Sequence, residues 1–194
     1  VCDGDGSSCN GCTLPDSETT GYLQVSPDGY VFYKTPFELG GFEFYVDGAT
    51  LNSDSPASGF LADNSAFTIS GYISSGKVLV FSFSGATIPA GCGTLFQLDI
   101  TGEATGLSNI VMSSPAGGQV NFELVCSDEF PQDCAGVCGG SAVEDNCAVC
   151  DDDSSNDCVQ DCNGAWGGNA FVDACGVCEG DGSSCNGCTL PDLQ

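Results

Sequence analysis

From about residue 20 to residue 125 the chain sets apolar against polar positions in short alternating runs, the period of strands half-buried in a sheet. Leu23 and Val25 begin the pattern, and Tyr30-Val-Phe-Tyr-Lys-Thr35 reads as a strand. Gly41-Phe-Glu-Phe-Tyr-Val-Asp47 puts Phe42, Phe44 and Val46 on one face and Glu43, Tyr45 and Asp47 on the other, and Asp47-Gly48 predicts a turn. Phe67 and Ile69 mark a short strand. The run Lys77–Ser84 predicts another, with Leu79, Phe81 and Phe83 facing inward. Gly85 and Pro89-Ala-Gly91 break the pattern, after which Phe96, Leu98 and Ile100 alternate with Leu95, Gln97 and Asp99. Ile110 and Met112 start a further strand, Pro115-Ala-Gly-Gly118 turns, and Val120, Phe122 and Leu124 close the series. No window repeats at helical spacing. Eight or nine short strands with Gly/Pro punctuation predict an all-β fold, an antiparallel jelly-roll-like sandwich over residues 20–126. About a hundred residues this rich in Phe and Val suffice for a core.

From Cys126 onward the alternation stops and Asp, Glu, Gly, Ser and Cys take over. Residues 1–16 read VCDGDGSSCNGCTLPD and residues 177–192 read VCEGDGSSCNGCTLPD, differing only at Asp3 and Glu179, with an offset of 177 − 1 = 176. That is the mark of a tandem array, so the chain reads as one period and the start of the next, cut from a longer protein. The layout expected is the end of a preceding Cys-rich linker (1–19), the sandwich (20–126), and an irregular disulfide-rich, metal-stiffened rod (127–194). A shorter repeat lies inside the rod. Residues 134–150 align with 162–178 at an offset of 162 − 134 = 28, and only Cys138 fails to recur, facing Trp166.

The period also explains the odd total of 15 cysteines. Cys2, Cys9, Cys12, Cys92, Cys126, Cys134, Cys138, Cys147, Cys150, Cys158, Cys162 and Cys175 belong to one period, an even set. Cys178, Cys185 and Cys188 are second copies of the first three. The C-x-x-C pairs at Cys147/Cys150 and Cys175/Cys178 could suggest zinc, but the chain has no histidine. Disulfides in an oxidising extracellular or cell-surface setting are the stronger reading. Aligning the inner repeat suggests Cys134–Cys147 and Cys162–Cys175, then Cys150–Cys158 and Cys178–Cys185, the last repeated as Cys2–Cys9. Cys138 is then left for Cys126, and Cys12 for Cys92. Other connectivities satisfy the same count.

Charge narrows the function. The chain has 27 acidic residues against two lysines, a net charge of −25. A phosphate backbone would be repelled, which excludes nucleic acid as a partner. No apolar run is long enough for a membrane span. Such a polyanion needs a counterion, and matched carboxylates recur on Gly/Ser-rich loops: Asp145 with Asp173, Asp151 with Glu179, Asp153 with Asp181, and Asp3 and Asp5 in the partial copy. Oxygen ligands on tight loops are what Ca²⁺ takes, so these eight are the candidate metal ligands. Catalysis has little support in the residue set. Histidine and arginine are absent, and Glu38, Glu43, Glu103 and Glu123 are scattered along strands. The five tyrosines could offer a sugar-stacking face.

The stretches Leu39–Asp47, Val78–Phe83 and Gly93–Ile100 resemble the cohesin family of extracellular assembly modules. That resemblance implies a jelly-roll sandwich and, by analogy, a dockerin-like protein partner, with carbohydrate as the ligand of related sandwiches. The string Cys175-Gly-Val-Cys-Glu-Gly-Asp-Gly-Ser-Ser-Cys185 resembles cysteine-rich repeats of large secreted bacterial proteins and, distantly, the acidic calcium loops of thrombospondin type 3 repeats. Together these readings predict a non-enzymatic structural subunit of an extracellular bacterial filament or surface stalk, associating with itself head to tail and stiffened by disulfides and Ca²⁺. The alternative is an adhesin or scaffold module recognising carbohydrate or a dockerin-like partner.

Overall fold

The computed structural model describes residues 12–183, apart from Pro56, Phe60 and Ala62. The alternating region folds as ten strands in two five-stranded sheets. They are β1 (Gly21–Val25), β2 (Tyr30–Thr35), β3 (Gly41–Leu51), β4 (Ala57–Ser58), β5 (Thr68–Tyr72), β6 (Lys77–Phe81), β7 (Gly91–Leu98), β8 (Ile100–Ser113), β9 (Gln119–Val120) and β10 (Phe122–Leu124). One sheet runs β10-β1-β2-β7-β4 and the other β5-β6-β3-β8-β9. The fold is the expected all-β, jelly-roll-like sandwich, with antiparallel neighbours everywhere except β1 and β10, which pair in parallel. The chain changes sheets at Asn121, whose carbonyl accepts from Gly21 N–H at 2.9 Å. The ring of Phe122 then lies over Gly21, where any Cβ would collide with it, so glycine is required there.

The core forms where the alternating apolar positions of the two sheets meet. Phe42 and Phe44 of β3 face Phe96 of β7 with ring centroids 6.2 and 6.4 Å apart, and Leu23, Val31, Leu39 and Leu51 surround them. Leu95 and Phe96 are both buried although adjacent, because the β2–β7 register slips between Val31 and Phe32 and leaves Leu95 as the extra residue.

Two expectations fail for local reasons. Asp47-Gly48 does not turn. β3 continues to Leu51 through a bulge in its pairing with β8, and Gly48 takes φ 81° against the Glu103 carbonyl, where a Cβ would sit 2.7 Å away. Strand β6 also faces the other way. Both of its faces are apolar, so alternation alone could not choose between them. Pairing with β3 decides: Val78 lies opposite Phe44 and Val80 opposite Phe42, and both valines are fully buried. Leu79 therefore lies opposite Glu43 on the outer face, Phe81 beside it, and Phe83 is 88 % exposed.

By its contacts the chain divides into two units. One reaches Gln132 and also takes Gly136–Gly140; the other takes Asp133–Ala135 and resumes at Ser141. The first holds the sandwich. Its leading segment is tied down by Cys12–Cys92, and Lys34 Nζ donates to the carbonyls of Cys12 and Leu14 at 3.3 and 2.8 Å and pairs with Asp16 at 2.8 Å. Among its described residues the second contains a two-stranded ladder, β11 (Val143–Glu144) with β12 (Cys150–Asp151), and a series of turns.

Candidate functional site

The cysteine-rich segment is built on one local device, an aspartate whose carboxylate collects the backbone N–H groups of the loop that follows it. Asp161 Oδ1 accepts from Asn163 and Ala165 N–H, both at 2.9 Å, and its Oδ2 accepts from Ala170 N–H at 3.2 Å. Asp173 repeats this with Cys175 and Val177 at 2.9 Å and Gly182 at 3.2 Å. Asp145 takes Cys147 and Val149 at 2.8 Å, then Cys158 at 3.1 Å. Asp133 takes Ala135 at 3.0 Å and Ala142 at 3.2 Å. These bonds favour the charged carboxylate, and they hold Asp145, Asp161 and Asp173 below the ordinary aspartate range. A short carboxylate satisfies donors that a loop without helix or sheet would leave unpaired.

The backbone around each aspartate repeats as well. The third residue on adopts positive φ in all four turns: Gly136 at 85°, Ala148 at 61°, Gly164 at 82° and Gly176 at 80°. The residue before each aspartate bridges the fifth residue after it: Gln132 with Cys138, Glu144 with Cys150, Gln160 with Trp166, Val172 with Cys178. The aspartates are spaced 145 − 133 = 12, 161 − 145 = 16 and 173 − 161 = 12 residues apart. The true unit is thus about twelve residues, two to each 28-residue repeat. The seventh residue of the turn is glycine at Gly168 and Gly180, where a Cβ would run into Oδ2 of Asp161 and of Asp173. In the second turn that position is Asp152, and there Asp145 Oδ2 reaches thirteen residues on, to Cys158, instead of nine.

This geometry corrects the disulfide pairing. Cys12–Cys92 and Cys126–Cys138 are present as expected, with Cα atoms 5.0 and 5.3 Å apart. The others are Cys134–Cys150, Cys147–Cys158 and Cys162–Cys178, with Cα separations of 5.9, 6.0 and 5.5 Å, in place of Cys134–Cys147, Cys150–Cys158, Cys162–Cys175 and Cys178–Cys185. In the second and fourth turns the bridge carries the cysteine of the fifth position back beside its own aspartate, where it meets the cysteine just after the preceding aspartate. Asp145 sets the Cys147–Cys158 pair, since its two oxygens hold the N–H groups of those two cysteines. Cys134–Cys150 and Cys162–Cys178 therefore join successive turns, whereas Cys147–Cys158 closes the long second turn on itself. Cys175 is disulfide-bonded too. The proposed Cys2–Cys9 pair lies outside the described residues, as does Cys188.

The candidate metal ligands fall into two groups, with Asp3 and Asp5 outside the described residues. Asp145 and Asp173 are turn centres with both oxygens engaged. The others lie within the segments those aspartates close, Asp151 at the end of β12. Asp151 accepts from Asp153 N–H at 2.9 Å and Asn156 Nδ2 at 2.8 Å, Asp153 from Ser155 N–H at 3.0 Å and its hydroxyl at 2.5 Å, Glu179 from Asn163 Nδ2 at 2.9 Å, and Asp181 from Ser183 N–H at 2.8 Å. Glu144, Asp145, Asp151, Asp152 and Asp157 rim a cleft of about 410 Å³. Among the described residues no three acidic, cysteine or histidine side chains converge closely enough to form a ready-made ion cage. Sequence reasoning missed Asp133 and Asp161. Their signal was the recurring Asp one or two residues before a cysteine, and the four extra residues in the second turn masked it.

Five disulfides among the described residues point to an oxidising setting such as the cell surface or the extracellular medium, and no helix is long and apolar enough to cross a membrane. No family model matches the chain, and no curated protein matches it. Among solved structures it is similar to a non-cellulosomal cohesin from the hyperthermophilic archaeon Archaeoglobus fulgidus, at 16 % identity and a TM-score of 0.37, over 57 % of this chain and 88 % of that one.

Proposed function

We propose that the chain is one period of an extracellular tandem-repeat protein whose role is structural, a subunit of a filament or surface stalk in which sandwiches alternate with stapled connectors. The observation that carries this reading is the near-identical sixteen-residue string recurring at an offset of 177 − 1 = 176. The connector chemistry supports it. Staples join the first turn to the second and the third to the fourth, another closes the second turn, and each turn is closed by a carboxylate, so a segment without an apolar core keeps a fixed backbone. Copies linked in series meet at high effective concentration, which favours self-association along the array.

Ca²⁺ on the connector belongs to the same proposal. Its support is the net charge of −25 and the acidic cleft at Glu144, Asp151, Asp152 and Asp157, whose oxygens are of the kind Ca²⁺ coordinates. The turn-centre carboxylates would add only their remaining lone pairs. Electron micrographs of the native material in calcium test the reading: strings of globules at constant spacing are expected, whereas isolated modules would refute the filament. Spacing and melting temperature unchanged by chelator would remove the metal from the account and leave the disulfides.

A further inference from the structure

Three of the bridges are interlaced along the chain. Cys126 pairs with Cys138, Cys134 with Cys150 and Cys147 with Cys158, so each begins before its predecessor has closed. Cys134 lies 138 − 134 = 4 residues inside the first bridge, and Cys147 lies 150 − 147 = 3 residues inside the second. The Cys162–Cys178 bridge starts 162 − 158 = 4 residues after Cys158. Ahead of all these, Cys12–Cys92 closes a loop that contains β1 to β6.

Tension on the two ends of such a chain is carried, once hydrogen bonds and packing have yielded, by the shortest covalent route. From Cys12 that route crosses to Cys92, follows the backbone for 126 − 92 = 34 residues to Cys126, and crosses to Cys138. It steps back to Cys134, crosses to Cys150, steps back to Cys147, crosses to Cys158 and runs on to the Cys162–Cys178 bridge. At full extension its backbone pieces span about 160 Å, whereas the 178 − 12 = 166 residues of unbridged chain would span about 580 Å. The bridges themselves add 5.0–6.0 Å each between Cα atoms. Strands β1 to β6 lie off the route, so pulling the sandwich open lengthens the chain only by residues 92–126.

Interlacing also makes the route tolerant of a lost bridge. Without Cys134–Cys150 it runs 147 − 138 = 9 residues directly from Cys138 to Cys147, in place of 4 residues, 3 residues and a bridge. Its length then changes by only about 1 Å, and losing either of the other two interlaced bridges adds about 10 Å. Bridges set apart from one another would each release a whole loop of 11 to 16 residues.

We propose that the bridges form a fail-safe tension limiter, which caps the extension of each period and keeps most of the sandwich off the load. Its use to the protein rests on the stalk reading; the limit itself is a property of a single chain.

The test is single-molecule stretching of the full chain, held by tags at Val1 and Gln194 in non-reducing buffer. The wild-type chain should extend to about 280 Å at most, against about 680 Å without bridges. Cys12→Ser with Cys92→Ser should add about 280 Å, the length of its 80-residue loop. Cys134→Ser with Cys150→Ser should change the extension by less than about 10 Å. Wild-type extension beyond about 400 Å would overturn the proposal, as would a gain of about 40 Å or more on losing Cys134–Cys150. The wild-type measurement decides by itself if a variant fails to fold. Micrographs showing isolated modules would remove the stalk and leave the limit standing, whereas a long wild-type extension would remove the limit and leave the stalk.

Discussion

Replacing Cys12 and Cys92 by serine should destabilise the sandwich more than removing any other mapped crosslink. The two cysteines are 80 residues apart, and closing a loop of that length removes about 15 cal/mol/K of entropy from the unfolded chain, or about 4.5 kcal/mol at room temperature. A domain of this size has a total stability of about 5–15 kcal/mol, so the loss is a large share. It corresponds to a fall of about 20–30 °C in melting temperature. The Lys34 contacts to Cys12, Leu14 and Asp16 remain in the variant, but they are hydrogen bonds and a surface ion pair and do not restrain the unfolded state. The comparison is Cys126→Ser with Cys138→Ser, whose separation of 12 gives about 2.8 kcal/mol by the same relation. Guanidinium unfolding of the full chain measures both. The Cys12/Cys92 variant should also show the larger rise in m, because its unfolded state opens further. A smaller loss for the 80-residue loop than for the 12-residue loop would refute the reasoning and place the weight on local packing around Cys138.

Other outcomes follow from the turns. Gly167→Ala should prevent Cys147 from pairing, since the new Cβ would sit 2.7 Å from its sulfur, whereas Gly164→Ala meets nothing within 4 Å and should cost only about 1–2 kcal/mol of backbone strain; free-thiol counts separate the two. Ala148→Gly should stabilise the second turn by about 1 kcal/mol, because Ala148 holds φ 61° where its three counterparts are glycine, and slower amide exchange at Val149 is the readout. Gly168→Ala should displace the Asp161 carboxylate and speed exchange at Ala170 N–H. The turn aspartates also set a pH dependence. Their native pKa lies below the ordinary value of 3.8, so their stabilisation is fully present above that value and is lost as pH falls through the lowered native one. Amide protection in the connector should hold at pH 5 and fail only in strong acid, while protection that declines between pH 7 and pH 5 would contradict the assignment.

The sandwich was legible because one face of most strands is apolar and the other polar, as in β3 with Phe42, Phe44 and Val46. It was illegible where that contrast vanished. Val78, Leu79, Val80 and Phe81 are apolar on both sides, and only the β3 partner assigns the faces. Asp47-Gly48 has the composition of a turn, yet Gly48 serves a bulge against β8, a neighbour more than fifty residues away in sequence. In the cysteine-rich segment the 28-residue repeat was visible, but its true unit was hidden by the longer second turn. Pairing cysteines by alignment matched neighbouring cysteines within the 28-residue repeat. It could not show that the Asp145 carboxylate holds the N–H groups of Cys147 and Cys158, the two cysteines that pair.

The most direct test of the stapled connector is a non-reduced peptide map of the native protein. Cys134 should be recovered with Cys150, Cys147 with Cys158 and Cys162 with Cys178. Recovery of Cys134 with Cys147, or of Cys162 with Cys175, would contradict this connectivity and with it the stapled connector on which the structural role rests.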